Sequence, residues 1–385
     1  MSVRTTIIFT VATAIFLLVG CGAPTANTTR QTVVVNTHKP KNKSKGNHTL
    51  KTDPSMAHTN LQLNPNSLYM ISKSTGWDFS RLQATPTLNG AVLRTDDGGK
   101  TWHNCTPTSV SAQETFAGGL AVSDSEAWLF VSAGKKTLLY HTTDGGASWT
   151  STSIPKSYLI ADLRFSDAQH GWLLASQGSA AGQEPIDLYY TSDGGKTWSQ
   201  ILSKTESNKL LLGNKTGVTF INRTTGWITV DSGQHPGQVE VYVSHDGGHS
   251  WALQTIPVST SLQKHYAHPL APIFTSSQVG IMPVTFDDGT TVIYTTENGG
   301  QDWNSTKPVP VSNVVNVSYD GQTVYVTDGK SVYDSRDNGQ SWVKWKGTIG
   351  ASDQIGDVTA QGVYVVKKGG SEVVNIPFNA SDFVK

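Results

Sequence analysis

The chain has 385 residues, and its 29 lysines and arginines are balanced by 29 aspartates and glutamates, so no net field favours nucleic acid. Two cysteines exclude a disulfide framework. Glycine is frequent at 37 residues, 11 tryptophans and 12 tyrosines are plentiful for the length, and long runs of helix formers are absent, which points to strands and turns.

In chain order, Arg4 lies in a short basic stretch ahead of an apolar run from Ile7 to Val19, which closes on Leu18-Val19-Gly20-Cys21. That run is short for a membrane span and normal for a secretory signal. The Leu-Val-Gly-Cys ending resembles the bacterial lipobox. The resemblance implies removal of residues 1–20 as a signal peptide and lipidation of Cys21, which would become the mature N-terminus. The acyl chains would then anchor the protein to the outer, extracytoplasmic face of the bacterial cell membrane.

Residues 21–60 read as a flexible linker rich in Thr, Asn and Lys, with Val33-Val34-Val35 as its one apolar run. Six basic residues, Arg30, Lys39, Lys41, Lys43, Lys45 and Lys51, face one acid, Asp53. Such a segment could lie against anionic headgroups or wall polymer, or serve only as a soluble spacer.

Residues 61–385 read as one globular unit punctuated by six copies of [Ser/Thr]-x-Asp-x-Gly-x-x-Trp. The signature residues are Asp97, Gly99 and Trp102; Asp144, Gly146 and Trp149; Asp193, Gly195 and Trp198; Asp246, Gly248 and Trp251; Asn298, Gly300 and Trp303; and Asp337, Gly339 and Trp342. The fifth copy departs from the rest, with Asn298 in the Asp place and Asp302 where Thr or Ser stands elsewhere. Successive tryptophans lie 47, 49, 53, 52 and 39 residues apart, the period of propeller blades.

An Asp or Asn side chain accepts hydrogen bonds from nearby backbone N–H groups, and a following Gly is free to take positive φ, so each copy predicts a tight connection between antiparallel strands. The Trp then opens the returning strand, where it can bury roughly 200 Å² and contribute up to about 5 kcal/mol. A second element recurs before the first five boxes: Gly76-Trp77, Ala127-Trp128, Gly171-Trp172, Gly226-Trp227 and a degenerate Gly280-Ile281. One unit therefore reads as strands A, B and C, the box, and strand D beginning at its Trp. After the sixth unit, Gly356 to Thr359, Gly362 to Val366 and Glu372 to Ile376 read as strands A, B and C of a seventh. A ring must close, so Asn60 to Pro65 is expected to donate the missing strand. The fold class expected is an all-β, seven-bladed propeller of four-stranded antiparallel blades, with six blades as the alternative.

The six copies match the Asp-box, or BNR, repeat of sialidases, sortilin-type receptors, xyloglucanases and photosystem II assembly factors. Together with the Gly-Trp steps, residues 61–385 most resemble the photosystem II assembly factor propellers and their relatives among bacterial lipoproteins. The resemblance implies a non-catalytic scaffold without cofactor, a monomer that binds a protein partner or a cell-envelope polymer. The runner-up readings are a glycan-binding protein and a sialidase-like glycoside hydrolase.

Sialidases clamp the substrate carboxylate with three arginines. Here Arg30 lies in the linker and Arg94 and Arg336 lie at the boxes, which leaves Arg81, Arg164 and Arg223, and no Phe-Arg-Ile-Pro motif occurs. Cys105 reads as a buried structural thiol on strand D, and Asp287-Asp288-Gly289 as a hairpin turn. His265, Tyr266 and His268 cluster without an acid or Cys at metal-ligand spacing, which suggests a surface loop and no metal.

Boxes on the C-to-D turns leave the opposite face to B-to-C and D-to-A connections, and these are long: Arg81 to Gly90, Gln177 to Pro185, Asp231 to Gln238, Lys204 to Gly213 and Thr255 to Pro272. That face is the expected binding surface, and Glu184 and Asp231 are the acids nearest it.

Overall fold

The computed structural model describes residues 63, 65–79, 92–111, 114–179, 182–202, 210, 213–231, 233–312, 314–370, 372–379 and 382, with backbone alone at 160 and 161 and in a short strand over Arg30–Val33. Seven blades follow one another around a ring. Blade two shows the pattern in full: strands A (Thr115–Ala121), B (Ala127–Ala133), C (Lys136–Thr142) and D (Thr150–Pro155) pair antiparallel in that order. Blade three has Ile160–Phe165, Gly171–Ser176, Ile186–Thr191 and Ser199–Leu202, and blade four Asn214–Phe220, Gly226–Asp231, Gln238–Ser244 and Ala252–Pro257. Every Gly-Trp step, the degenerate one included, opens a strand B.

Burial falls from strand B to strand D, because adjacent blades cover both faces of the inner strands. In blade three the residues of Gly171–Ser176 are all buried, whereas in blade four Ala252–Pro257 exposes most of its side chains. Accordingly the tryptophans of the Gly-Trp steps, Trp77, Trp128, Trp172 and Trp227, are the fully buried ones. The box tryptophans Trp149, Trp198, Trp251 and Trp342 are only half-buried, and Trp102 and Trp303 more deeply so. The main apolar anchors are therefore the strand-B tryptophans, a correction to the weight placed on the box Trp. Trp172 stacks on Phe220 of the next blade at 3.8 Å between ring centroids, and Trp227 on Phe274 at 5.0 Å.

Blade five breaks its strand A into Ala267–Pro269 and Ile273–Phe274, both paired with Gly280–Phe286. The expected long connection Thr255 to Pro272 is thus shorter, spanning 258–266, since strand D runs to Pro257 and strand A begins at Ala267. Blade seven has the expected strands as Gln354–Thr359, Gly362–Val366 and Val373–Ile376; among the described residues no fourth strand joins them. The segment expected to supply it, Asn60 to Pro65, lies largely outside the described residues. Its Leu63 is buried and donates its N–H to the Gly370 carbonyl at 2.7 Å.

Side chains join the ends of the ring. Leu63, Leu68, Met70 and Trp102 share one apolar cluster with Tyr364, Val366 and Val373. The Met70 N–H also donates to the buried Asp357 carboxylate at 2.8 Å. On the other side of blade seven, Phe378 stacks on Tyr325 of blade six at 5.5 Å, in the place where a strand-A Phe meets a strand-B Trp elsewhere. The strand Arg30–Val33 pairs parallel with strand A of blade six, Asn316–Tyr319. The rest of the span read as linker, and Cys21 with it, lies outside the described residues.

Candidate partner-binding face

The two ends of the blades differ in construction. One end carries the A-to-B turns and the boxes, which are the C-to-D turns. In the third box the Thr191 hydroxyl donates to Asp193 Oδ1 at 2.8 Å and accepts the Gly195 N–H at 2.9 Å. The other half of the turn closes on Thr197, whose N–H donates to Asp193 Oδ1 at 2.9 Å and whose hydroxyl donates to Oδ2 at 2.6 Å. Both carboxylate oxygens are thus engaged within the turn, and the Asp reaches an N–H four residues on rather than one or two. The Thr197 hydroxyl and N–H hold the Asp193 carboxyl down at about 2. The boxes at Asp97, Asp144, Asp246 and Asp337 repeat these bonds.

Each box is tied to its own blade and to the one before. The Gly194 N–H donates to the Gln169 carbonyl in the A-to-B turn at 3.0 Å, and Gly98, Gly145, Gly247 and Gly299 do the same in their blades. Gly195, at φ +83°, lies against Trp128 of blade two, and a Cβ there would meet the indole at 2.1 Å. The A-to-B turns are themselves closed by one polar side chain: Ser72, Ser123, Asp167, Asn222, Ser276 and Asp320 each accept N–H bonds from two following residues. This element was missed in the sequence, although its signal was a Ser, Asp or Asn five residues before each strand-B aromatic or its substitute. The box end is a rim whose polar groups serve its own turns.

The other end is made of the B-to-C and D-to-A connections, and its polar side chains pair between blades. Between blades two and three, the Tyr158 hydroxyl donates to the buried Asp187 carboxylate at 2.5 Å, while Lys156 pairs with it at 2.6 Å and Gln200 at 2.9 Å. Burial and the bond to Asp187 push the Tyr158 phenol far up. Between blades three and four, the Lys215 backbone N–H donates to the Glu184 carboxylate and its ammonium to the Glu184 and Gly213 carbonyls, all buried. Burial lowers Lys215 to about 8 against the opposing pull of Glu184.

The connection 258–266 and strand A of blade five bind both blade four and the blade-five hairpin. His268 pairs with Asp231 of blade four at 2.9 Å, and His265 with Asp287 at 2.7 Å and Asp288 at 3.6 Å. The hydrogen bond to Asp231 raises His268 despite burial, which pulls the other way. Main-chain bonds add to this: Gly237 N–H to the His265 carbonyl at 2.9 Å and Asp287 N–H to the Tyr266 carbonyl at 3.1 Å. The histidines therefore have acidic partners, which local spacing does not show because they come from other parts of the chain. Among the described residues no group of His, Cys, Asp and Glu stands placed to hold a metal ion. Asp287-Asp288-Gly289 is a hairpin turn, with Gly289 at φ +85° and Asp288 accepting the Thr290 N–H at 2.9 Å.

The residues considered for catalysis are dispersed. Glu184 and Asp231 sit in separate seams, each engaged as above. Arg164 is pinned on Asp162 at 2.7 Å, Arg223 lies in an A-to-B turn on the box end beside Asn222, and Arg81 is outside the described residues. Arg94 and Arg336 bind Asp96 and Asp334 on the box side. Cys105 is half-buried just past strand D of blade one rather than buried on it as expected; its S–H is directed at the Val92 carbonyl at 3.5 Å, and burial of the sulfur pushes the thiol up to about 12. That is a packed, unreactive thiol.

Comparison with known proteins agrees with this architecture. The family model for Sortilin-Vps10 (sortilin, neurotensin receptor 3) matches residues 90–235. The photosystem II assembly lipoprotein Ycf48 of Synechococcus sp. (strain CC9902) is 23% identical over 239 residues, 60% of this chain and 63% of that protein. An oligoxyloglucan-reducing end-specific xyloglucanase of Emericella nidulans is 22% identical over 255 residues, 56% of this chain and 30% of that protein. The chain thus spans less than two thirds of the length of these curated relatives. A solved structure described as YCF48 bound to D1 peptide superposes with a TM-score of 0.52 at 17% identity, covering 80% of this chain and 92% of that one. The fold also occurs in enzymes of the xyloglucanase kind.

Proposed function

We propose, for a seven-bladed propeller built on Asp-box turns and similar to Ycf48, that the chain is a non-catalytic module that binds a protein partner and assists its assembly. The binding surface is the face of B-to-C and D-to-A connections. The observation that carries this reading is the contrast between the two ends: the box end uses its carboxylates inside its own turns, while the opposite end holds long connections fastened across blade seams. A partner protein needs such a broad, pre-organised surface. The lipobox-like ending at Cys21 supports a lipid-anchored position on the extracytoplasmic face of a bacterial membrane, where a tethered propeller would meet envelope clients.

The test is affinity capture from the chain's own cell envelope, by the parent protein and by a variant with the 258–266 connection shortened. A defined protein captured by the parent and lost from the folded variant supports the proposal. Robust turnover of sialosides or glucans, lost on Glu184→Gln or Asp231→Asn, would replace it with a hydrolase.

A further inference from the structure

The backbone of Lys156, in the connection from blade two to blade three, has φ +91°. That left-handed conformation is unfavourable for a lysine, and strain of this kind persists only where surrounding contacts impose it. The other non-glycine residue with positive φ among those described is Asn338, at 54°, an asparagine in a turn, where the conformation is common. At Lys156 the contacts are visible. Its N–H donates to the Lys135 carbonyl at 3.1 Å, its carbonyl accepts from the Thr137 hydroxyl at 3.2 Å, and its ammonium binds Asp187 at 2.6 Å.

The next residues are fastened as firmly. Tyr158 is buried with its hydroxyl on Asp187, and the Leu159 N–H donates to the Ser176 carbonyl of blade three at 2.9 Å. With the backbone held on both sides, the Leu159 side chain is left 56% exposed; the other large apolar side chain so exposed among the described residues is Leu253, on an outer strand. The blade-two hairpin tip, with exposed Lys135 and Lys136, is joined to the same connection, Lys136 pairing with Pro155 and the Lys135 carbonyl accepting the Lys156 N–H. The carboxylate that reaches this connection, Asp187, is buried and engaged by Lys156 and Tyr158. The surface thus offers cations and one fixed apolar side chain.

We propose that this seam between blades two and three is a docking surface for an acidic, extended protein segment, whose carboxylates pair with Lys135 and Lys136 and whose apolar side chain covers Leu159. This deepens the protein-binding reading and rests on it. An anionic bilayer fits less well, because a flat membrane would also meet the blade-five corner of the same face, where Asp287 and Asp288 are 41% and 32% exposed. A single segment avoids that corner.

The test is fluorescence anisotropy of the purified chain with a labelled synthetic peptide alternating Glu and Leu. A Lys and Leu peptide and vesicles of phosphatidylglycerol serve as comparisons. The acidic peptide binds, and its affinity falls about tenfold in the K135E/K136E variant and on raising the salt. Leu159→Ser weakens it roughly threefold or more through lost apolar contact. Unchanged melting of each variant shows that the fold is intact. Affinity unchanged in K135E/K136E, equal binding of the basic peptide, binding of vesicles alone, or no binding would each overturn the proposal. Envelope capture that persists in K135E/K136E would remove this surface and leave the wider protein-binding reading in place.

Discussion

The indole of Trp128 in blade two lies against Gly195 in the box of blade three, where a Cβ would stand 2.1 Å from the ring at φ +83°. The same contact joins Trp227 to Gly300, at 2.5 Å for a Cβ. In these two boxes the second glycine therefore serves two purposes. It permits the turn, and it admits the buried tryptophan of the preceding blade.

Gly195→Ala should accordingly cost about 3 kcal/mol, combining overpacking against an immobile indole with a strained backbone. Gly134→Ala isolates the second effect, since Gly134 has φ +63° with nothing near its Cβ position, and should cost only about 1 kcal/mol. Chemical denaturation of both variants checks the difference; equal losses would rule out the packing role.

The fifth box keeps the geometry of the others by exchanging its chemistry. Asn298 Nδ2 donates to Asp302 Oδ2 at 2.9 Å where a hydroxyl donates to an Asp elsewhere, and the Asp302 N–H donates to Asn298 Oδ1 at 3.0 Å. Asn298→Asp alone would face two carboxylates and should lose about 1 kcal/mol at neutral pH, most of it recovered on acidification. The double variant N298D/D302T should restore stability. A double-mutant cycle showing additive effects would contradict the exchange.

Asp144 accepts the Ser148 N–H at 2.9 Å and hydroxyl at 2.5 Å, and the Thr142 hydroxyl at 2.8 Å. Asp144→Ala should therefore lower stability by roughly 1–3 kcal/mol. Asp193, held down at about 2, should contribute stability at pH above its unfolded value, which is lost as the pH falls towards 2. An acid titration in which Asp193→Asn leaves the profile unchanged would contradict this.

The blade-four to blade-five bridge has the opposite sign. His268 is raised from 6.5, chiefly by its hydrogen bond to Asp231, with burial opposing and Asp287 adding a smaller favourable pull. Its contribution is fully present below 6.5 and is lost as the pH rises through the raised value. Amide exchange of residues 258–268, corrected for intrinsic rates, should be slower near about pH 5.5 than near about pH 8. His268→Gln should flatten that difference; a parent protein with equal protection at both would contradict the account.

Much of the architecture was legible because turns and anchors recur in the sequence at fixed offsets. The box triads and the Gly-Trp steps located strands B, C and D, and the tail from Gly356 announced a seventh blade. The rest depended on neighbours far along the chain. His268 meets Asp231 across a blade boundary and His265 meets Asp287 in the blade-five hairpin, 22 residues on, so local spacing carried no sign of either pair. Phe378 fills the place of a strand-A Phe from beyond the last strand, a substitution visible only once the ring is closed. The strained Lys156 likewise follows from contacts to Lys135 and Asp187 that no local motif announces.

The most direct measurement of the central claim is a hydrogen-exchange footprint of the purified protein with and without its captured envelope partner. The account predicts new protection in the connections 156–159, 177–185, 231–238 and 258–266, with the six boxes unchanged. Protection confined to the boxes, or none on either end of the blades, would contradict it.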